Sequence, residues 1–148
     1  MVKKINFDMD GTLCDFYGVK GWLRDLENSN TRPYKVCKPM VNVAKFTAVI
    51  NALKKMGYIV NIISYTSKTG TAKFNAETEM IKKKWLAKNL PALEFDNIHI
   101  VPYGTPKQEV VKDGILFDDE EKNRFNWIGR SYKPEQIMEV LQNLLLEI

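Results

Sequence analysis

Cysteine and histidine are scarce in this chain, with two cysteines (Cys14 and Cys37) and one histidine (His99) among 148 residues. Two cysteines are too few for a disulfide framework and suit a reducing compartment. Cys14 reads as a small buried apolar residue rather than a reactive thiol. His99 alternates with apolar neighbours in Asn97-Ile98-His99-Ile100-Val101, the pattern of a structural histidine on a strand rather than a ligand or base. No stretch approaches the roughly 18 apolar residues of a membrane span. The basic start Met-Val-Lys-Lys runs into Asp8 before a signal-peptide apolar region can form. The expectation is a cytoplasmic protein with no membrane partner. Neither sign of charge dominates: Lys+Arg 22 against Asp+Glu 18 leaves +4. The densest basic run, Lys82-Lys83-Lys84, adjoins Trp85 inside a helical pattern and reads as a solvated helix face, not a nucleic-acid patch.

Repeats and low-complexity tracts are absent too, and what remains is an alternation of strand and helix patterns. Chains of this length bury about 70% of their unfolded surface, enough for one domain with a proper core. Residues 2–7 and 58–65 read as strands, the second rich in β-branched and aromatic residues. Between them, residues 41–56 carry Val43, Phe46, Val49, Ile50, Leu53 and Met56 at helical spacing, closed by Gly57. Residues 75–89 return to helix period with Met80, Ile81, Trp85 and Leu86 on one side. A short strand at 98–101 follows, then a helix over 105–112 with Thr105 as N-cap and Pro106 at its first position. Residues 115–117 form a fourth strand, and 134–146 a final amphipathic helix. Repeated β-α units predict an α/β fold, a mainly parallel sheet with helices on both faces. Residues 13–39 break the rhythm with Gly18, Gly21, Pro33 and Pro39 and the aromatics Phe16, Tyr17, Trp22 and Tyr34. Following the first strand, they are placed over the carboxyl edge of the sheet, where ligands bind in such folds.

The chemistry concentrates where the first strand stops. Asp8-Met9-Asp10-Gly11-Thr12-Leu13 sets two carboxylates two residues apart at the end of an apolar run, where they repel each other and are costly to desolvate. A hard divalent cation such as Mg²⁺ is the natural compensation. Gly11 and Thr12 offer a flexible backbone, a free N–H and a hydroxyl, the donors of a phosphate loop. The motif resembles the DxDGT signature of the haloacid dehalogenase superfamily. That resemblance implies a three-layer Rossmann-like fold, with residues 13–39 as a small helical cap inserted in a single domain. It implies Asp8 as nucleophile, forming a phosphoaspartyl intermediate, and Asp10 as general acid and base.

Three further signatures of that superfamily have matches in order. Ser64, at the end of the second strand, is the expected phosphate-binding hydroxyl, with Thr66 and Ser67 as alternatives. Lys107 is the expected lysine, Lys68 the runner-up, and Lys112 plain helix surface. Asp118, after the fourth strand, joins the Asp8 carboxylate and the Asp10 carbonyl as metal ligand, while Asp119 orients it or binds through water. The implied activity is a Mg²⁺-dependent phosphatase acting on a small phosphate monoester, with a nucleotide as candidate. The acidic segment ending at Asn123 and the short cap are similar to the 5′(3′)-deoxyribonucleotidase branch and to small phage and bacterial members. Phe16, Tyr17 and Trp22 either stack on a base or form the cap's own core. Rival readings are action on nucleic-acid ends or a phosphoprotein, and a non-catalytic binding module. No obligate protein partner is implied. For Trp127 and the neighbouring Arg124 and Arg130, core packing and solvent respectively are expected.

Overall fold

The computed structural model describes residues 3–147. Five strands, β1 (Lys4–Phe7), β2 (Ile59–Tyr65), β3 (Asn97–Val101), β4 (Ile115–Phe117) and β5 (Ser131–Tyr132), form one sheet in the order β3-β2-β1-β4-β5. Every pairing is parallel. The helices are α1 (Trp22–Glu27), α2 (Arg32–Val36), α3 (Val43–Lys55), α4 (Ala72–Asn89), α5 (Lys107–Val110), α6 (Glu121–Asn126) and α7 (Ile137–Leu146). The expected α/β architecture is present as a Rossmann-like arrangement. Position 2 of the expected first strand lies outside the described residues.

Side-chain alternation divides the sheet between two unequal layers. Ile5, Phe7, Val60, Ile62, Ile115 and Phe117 point to one face and join Phe46, Ile50 and Leu53 of α3, Phe74, Trp85 and Leu86 of α4, and Ile137, Leu141 and Leu144 of α7. Phe7 lies at the centre, stacked on Phe117 at 5.1 Å and edge-on to Phe46 at 5.3 Å. Such pairs add about 0.5–1.5 kcal/mol beyond area burial. The other face is thinner: Ile63 and Leu116 meet Val110, Val111 and Trp127 around the short α5 and α6. There the sheet carries a polar row. Asn97 donates to Asn61, Asn61 to Asn6 (3.0 Å each), and Asn6 to the Ile115 carbonyl at 3.1 Å. Each buried amide thereby finds a partner.

Boundaries differ from the sequence reading where caps decide them. Asn42 accepts from the Lys45 N–H and starts α3 at Val43; Thr71 accepts from Phe74 N–H and starts α4 at Ala72. Thr105 caps nothing: its hydroxyl donates to the Pro102 carbonyl at 2.7 Å. Pro106 occupies the N-cap position of α5, which is one turn long. The two-residue β5 carries no sequence pattern of its own, and the final helix begins as a 3₁₀ turn over Pro134–Gln136.

Strand order reverses between β2 and β4 on either side of β1. Crevices at such a switch point, beyond the carboxyl ends of the strands, are where parallel α/β sheets bind ligands.

Candidate active site

Asp8 follows β1 at that crevice, and its N–H donates to the Phe117 carbonyl at 3.0 Å, tying it to β4. Asp118 follows β4 and reaches β5 in the same way, through the Tyr132 carbonyl at 3.1 Å. Two parallel neighbours that end in step thus deliver two aspartates side by side. Lys107, at the start of α5 and 3% exposed, bridges them, with Nζ 3.0 Å from Asp8 Oδ1 and 2.7 Å from Asp118 Oδ2. Burial lowers the affinity of its ammonium for its proton, but Asp8 and Asp118 together outweigh this and hold its pKa above the usual lysine value. The remaining oxygens are also engaged. Thr12 donates to Asp8 Oδ2 at 3.1 Å. Asp118 Oδ1 accepts from the Glu120 N–H at 2.9 Å, while Asn123 donates to Oδ2 at 3.1 Å.

Asp8, Asp118 and Asp119 each offer a carboxylate oxygen, all within 4.8 Å of one another. Burial, then repulsion from Asp8, pushes Asp118 up to about 6 and Asp119 up to about 8 from 3.8, with Lys107 only partly offsetting this at Asp118. Asp119 Oδ1 is buried with no hydrogen-bond partner. A hard divalent cation fits this donor set, since it would satisfy the orphaned oxygen and relieve the repulsion. Asp119 therefore stands in the cluster itself; for Asp10 the expected ligand is the backbone carbonyl, and its carboxylate is engaged elsewhere.

The partner of Asp10 is a residue that sequence reading misplaced. Lys82 is not on a solvated helix face; it is 1% exposed, whereas Lys83 and Lys84 are exposed. Its ammonium donates to Asp10 Oδ2 (2.9 Å), Ser64 Oγ (2.8 Å) and the Tyr65 carbonyl (2.6 Å). Burial raises the Asp10 pKa above its usual value, with the Lys82 charge opposing it. Helical phase held the signal: Phe74, Thr78, Lys82, Trp85 and Leu86 form the buried side of α4, and Met80, expected there, is exposed. A lysine in step with that stripe is a buried lysine.

Other expected donors are placed differently. Ser64 is fully buried on the α4 side of β2 and accepts from Lys82, so the hydroxyls facing the crevice are those of Thr66 and Ser67. The Gly11 N–H is not free; it donates to the Cys14 carbonyl at 2.9 Å. Gly11 is required for another reason, because φ is 78° and a Cβ would lie 2.4 Å from Asp119 Oδ2. The Thr12 hydroxyl is buried between Asp8 Oδ2 and the Asp119 N–H, which donates to it at 3.2 Å. Cys14 is a buried free thiol that donates to the Met9 carbonyl at 3.4 Å and to Asp10 Oδ1 at 3.6 Å; the neighbouring Cys37 and then burial push its pKa up, as suits an unreactive sulfur. Trp127 packs in the smaller core and donates to Gly114 carbonyl at 3.0 Å. Arg124 is not left to solvent, since it donates to the Asp118 carbonyl at 2.9 Å.

Above the acids lies a cavity of about 370 Å³, with Asp8 and Asp10 in its floor. Residues between β1 and α3, including α1 and α2, supply its far wall through Phe16, Tyr17, Trp22 and Tyr34. Tyr65, Thr66, Ser67, Lys68 and Tyr103 supply the near wall. The far-wall aromatics also pack on one another, with Phe16 4.7 Å from Tyr34 and Tyr17 5.0 Å from Trp22. They are at once the segment's own core and a face of the cavity. Lys68, the alternative to Lys107, lies at this rim over the Tyr103 ring at 5.8 Å.

Fold and site together describe a Rossmann-like α/β protein with a carboxylate–lysine crevice at its topological switch point. No protein-family model matches the chain, and no curated protein matches it.

Proposed function

We propose that this protein is a divalent-cation-dependent phosphatase of the haloacid dehalogenase type, acting on a small phosphate monoester through a covalent intermediate on Asp8. One observation carries the reading. Asp8, paired with Lys107 at 3.0 Å and clustered with Asp118 and Asp119, lies in the floor of the cavity with a second carboxylate, Asp10. A carboxylate held this way by a cation, beside another that opens on the cavity and can carry a proton, is the equipment for phosphoryl transfer by covalent catalysis.

In the first step an Asp8 oxygen attacks phosphorus, and the ester P–O bond breaks with its electron pair going to the leaving oxygen. That oxygen takes a proton from Asp10. In the second, Asp10 accepts a proton from water as the water oxygen attacks the aspartyl phosphate, releasing inorganic phosphate and restoring Asp8. Lys107 offsets charge gathering on the phosphoryl oxygens, and Thr66 and Ser67 offer hydroxyl donors to them. Mg²⁺, held by Asp8, Asp118 and Asp119, would supply further charge neutralisation and orientation of the phosphoryl group.

The aromatic walls favour an ester with a flat apolar body, such as a nucleoside monophosphate. Mg²⁺-dependent release of phosphate from p-nitrophenyl phosphate and a panel of nucleoside monophosphates tests the reading. Asp8→Asn is expected to lower turnover at least 10³-fold while the protein stays folded by circular dichroism, on the scale of removing a covalent nucleophile. Undiminished turnover would remove Asp8 from this role. A wild type inert on every ester would favour the binding module.

A further inference from the structure

Lys82 is a buried cation that the reaction as written does not use. Its three N–H groups are all committed, to Asp10 Oδ2, Ser64 Oγ and the Tyr65 carbonyl. An ammonium has three donors and no more, so this one has none left for a phosphoryl oxygen. Lys82 therefore differs in kind from Lys107, two of whose contacts are to Asp8 and Asp118. The two lysines divide the acids between them, one serving the attacking carboxylate and the other its neighbour.

We propose that Lys82 is a positioning residue for proton transfer, holding the Asp10 carboxylate by one oxygen so that the group meets the leaving oxygen of the substrate in a fixed orientation. The inference rests on the phosphatase reading. Three features of the geometry support it. First, Asp10 is partly exposed to the cavity while the cation that grips it is sealed beneath (side-chain exposure 19% against 1%). Second, Lys82 is itself immobilised by two anchors on β2, so Asp10 is referenced to the sheet and not merely to its own loop. Third, the ammonium lies 5.1 Å from the centre of the Tyr34 ring, a residue of the far cavity wall, which shields it from water and strengthens its hold. When Asp10 gives its proton to the leaving oxygen, the resulting carboxylate forms against a positive charge already in place, with no reorganisation needed.

A positioning role for the proton donor has a signature that a general packing role lacks. A good leaving group such as p-nitrophenolate needs little protonation, whereas an alkoxide leaving group needs it fully. The measurement is kcat/KM, which reports the first P–O cleavage, for p-nitrophenyl phosphate and for an alkyl phosphate. Lys82→Met is expected to lose about 10²–10⁴-fold on the alkyl ester, the range of general acid catalysis, and about tenfold or less on the aryl ester. Asp10→Asn should show the same skew, Lys82→Arg should recover part of the alkyl activity, and Lys83→Met on the exposed side of α4 should match wild type. Equal losses on both esters, or none on either, would overturn the proposal. If Lys82→Met does not fold, Ser64→Ala removes one anchor of the ammonium and should give the same skew in smaller measure; its absence there overturns the proposal as well. A wild type that turns over neither ester overturns the phosphatase reading and this inference with it, whereas an active wild type without the skew in its variants overturns this inference alone.

Discussion

At the residue scale, Lys107 shows how a buried charge is tolerated only in company. Asp8, Asp118 and Lys107 are each under a tenth exposed, and each would be prohibitively costly alone. Lys107→Met leaves two neighbouring carboxylates without their counter-ion, so urea unfolding in the presence of EDTA should show a loss of about 3–5 kcal/mol, as for a broken buried pair. A loss below about 1 kcal/mol would mean the pair contributes no more than a surface one. Asp8, Asp10 and Asp118 were legible as candidate positions because acids at the end of an apolar run are conspicuous wherever they occur. Lys82 was not, because a lysine beside two exposed lysines is conspicuous only once the helix phase is known. Ser64 and Thr66 were indistinguishable for a related reason: the strand's alternation settles which side chain turns to α4, but only after the residue at which the strand ends is known.

At the element scale, α4 does more than cover the sheet. Its Trp85 indole donates to the Cys37 carbonyl at 2.8 Å, joining it to the segment that walls the cavity. The same face presents Lys82 to Asp10 about one turn nearer the N-terminus of α4, and a turn earlier Thr78 closes its own hydroxyl onto the Phe74 carbonyl. Trp85→Phe keeps most of the packing and strands a buried carbonyl, a cost of about 1–3 kcal/mol. Hydrogen exchange should therefore quicken across residues 13–39 and stay slow in β1 and β2; uniform quickening would show that α4 supports the whole core equally. The long helices α3 and α4 were readable because periodicity over ten or more residues averages out local noise, and the seven-residue β2 because it is a bounded run of β-branched and aromatic residues. The one-turn α5 and two-residue β5 were not, since elements so short are made by their neighbours.

At the scale of the whole molecule, the acid cluster couples stability to pH and to cations. Without metal, native Asp118 and Asp119 hold protons up to about 6 and about 8, against 3.8 ordinarily. The native state then binds more protons than the unfolded chain across that window, so stability falls as pH rises from about 4 to about 8. A cation displaces those protons, and its stabilisation grows over the same range. The melting temperature in EDTA should decline between about pH 5 and pH 8, and millimolar Mg²⁺ should raise it more at the upper end. An equal shift at both, or none, would count against the cluster. The sequence alone determined the α/β class, the parallel habit of the sheet and the strand ends that carry Asp8 and Asp118, because these follow from local periodicity and from the cost of placing acids next to apolar runs. Only the tertiary structure decided which cation each acid meets, that Asp119 turns into the cluster, and that Ser64 and Lys82 face each other beneath Asp10. Those contacts join residues up to 107 positions apart, as between Thr12 and Asp119, and no local pattern encodes a distance that only folding closes.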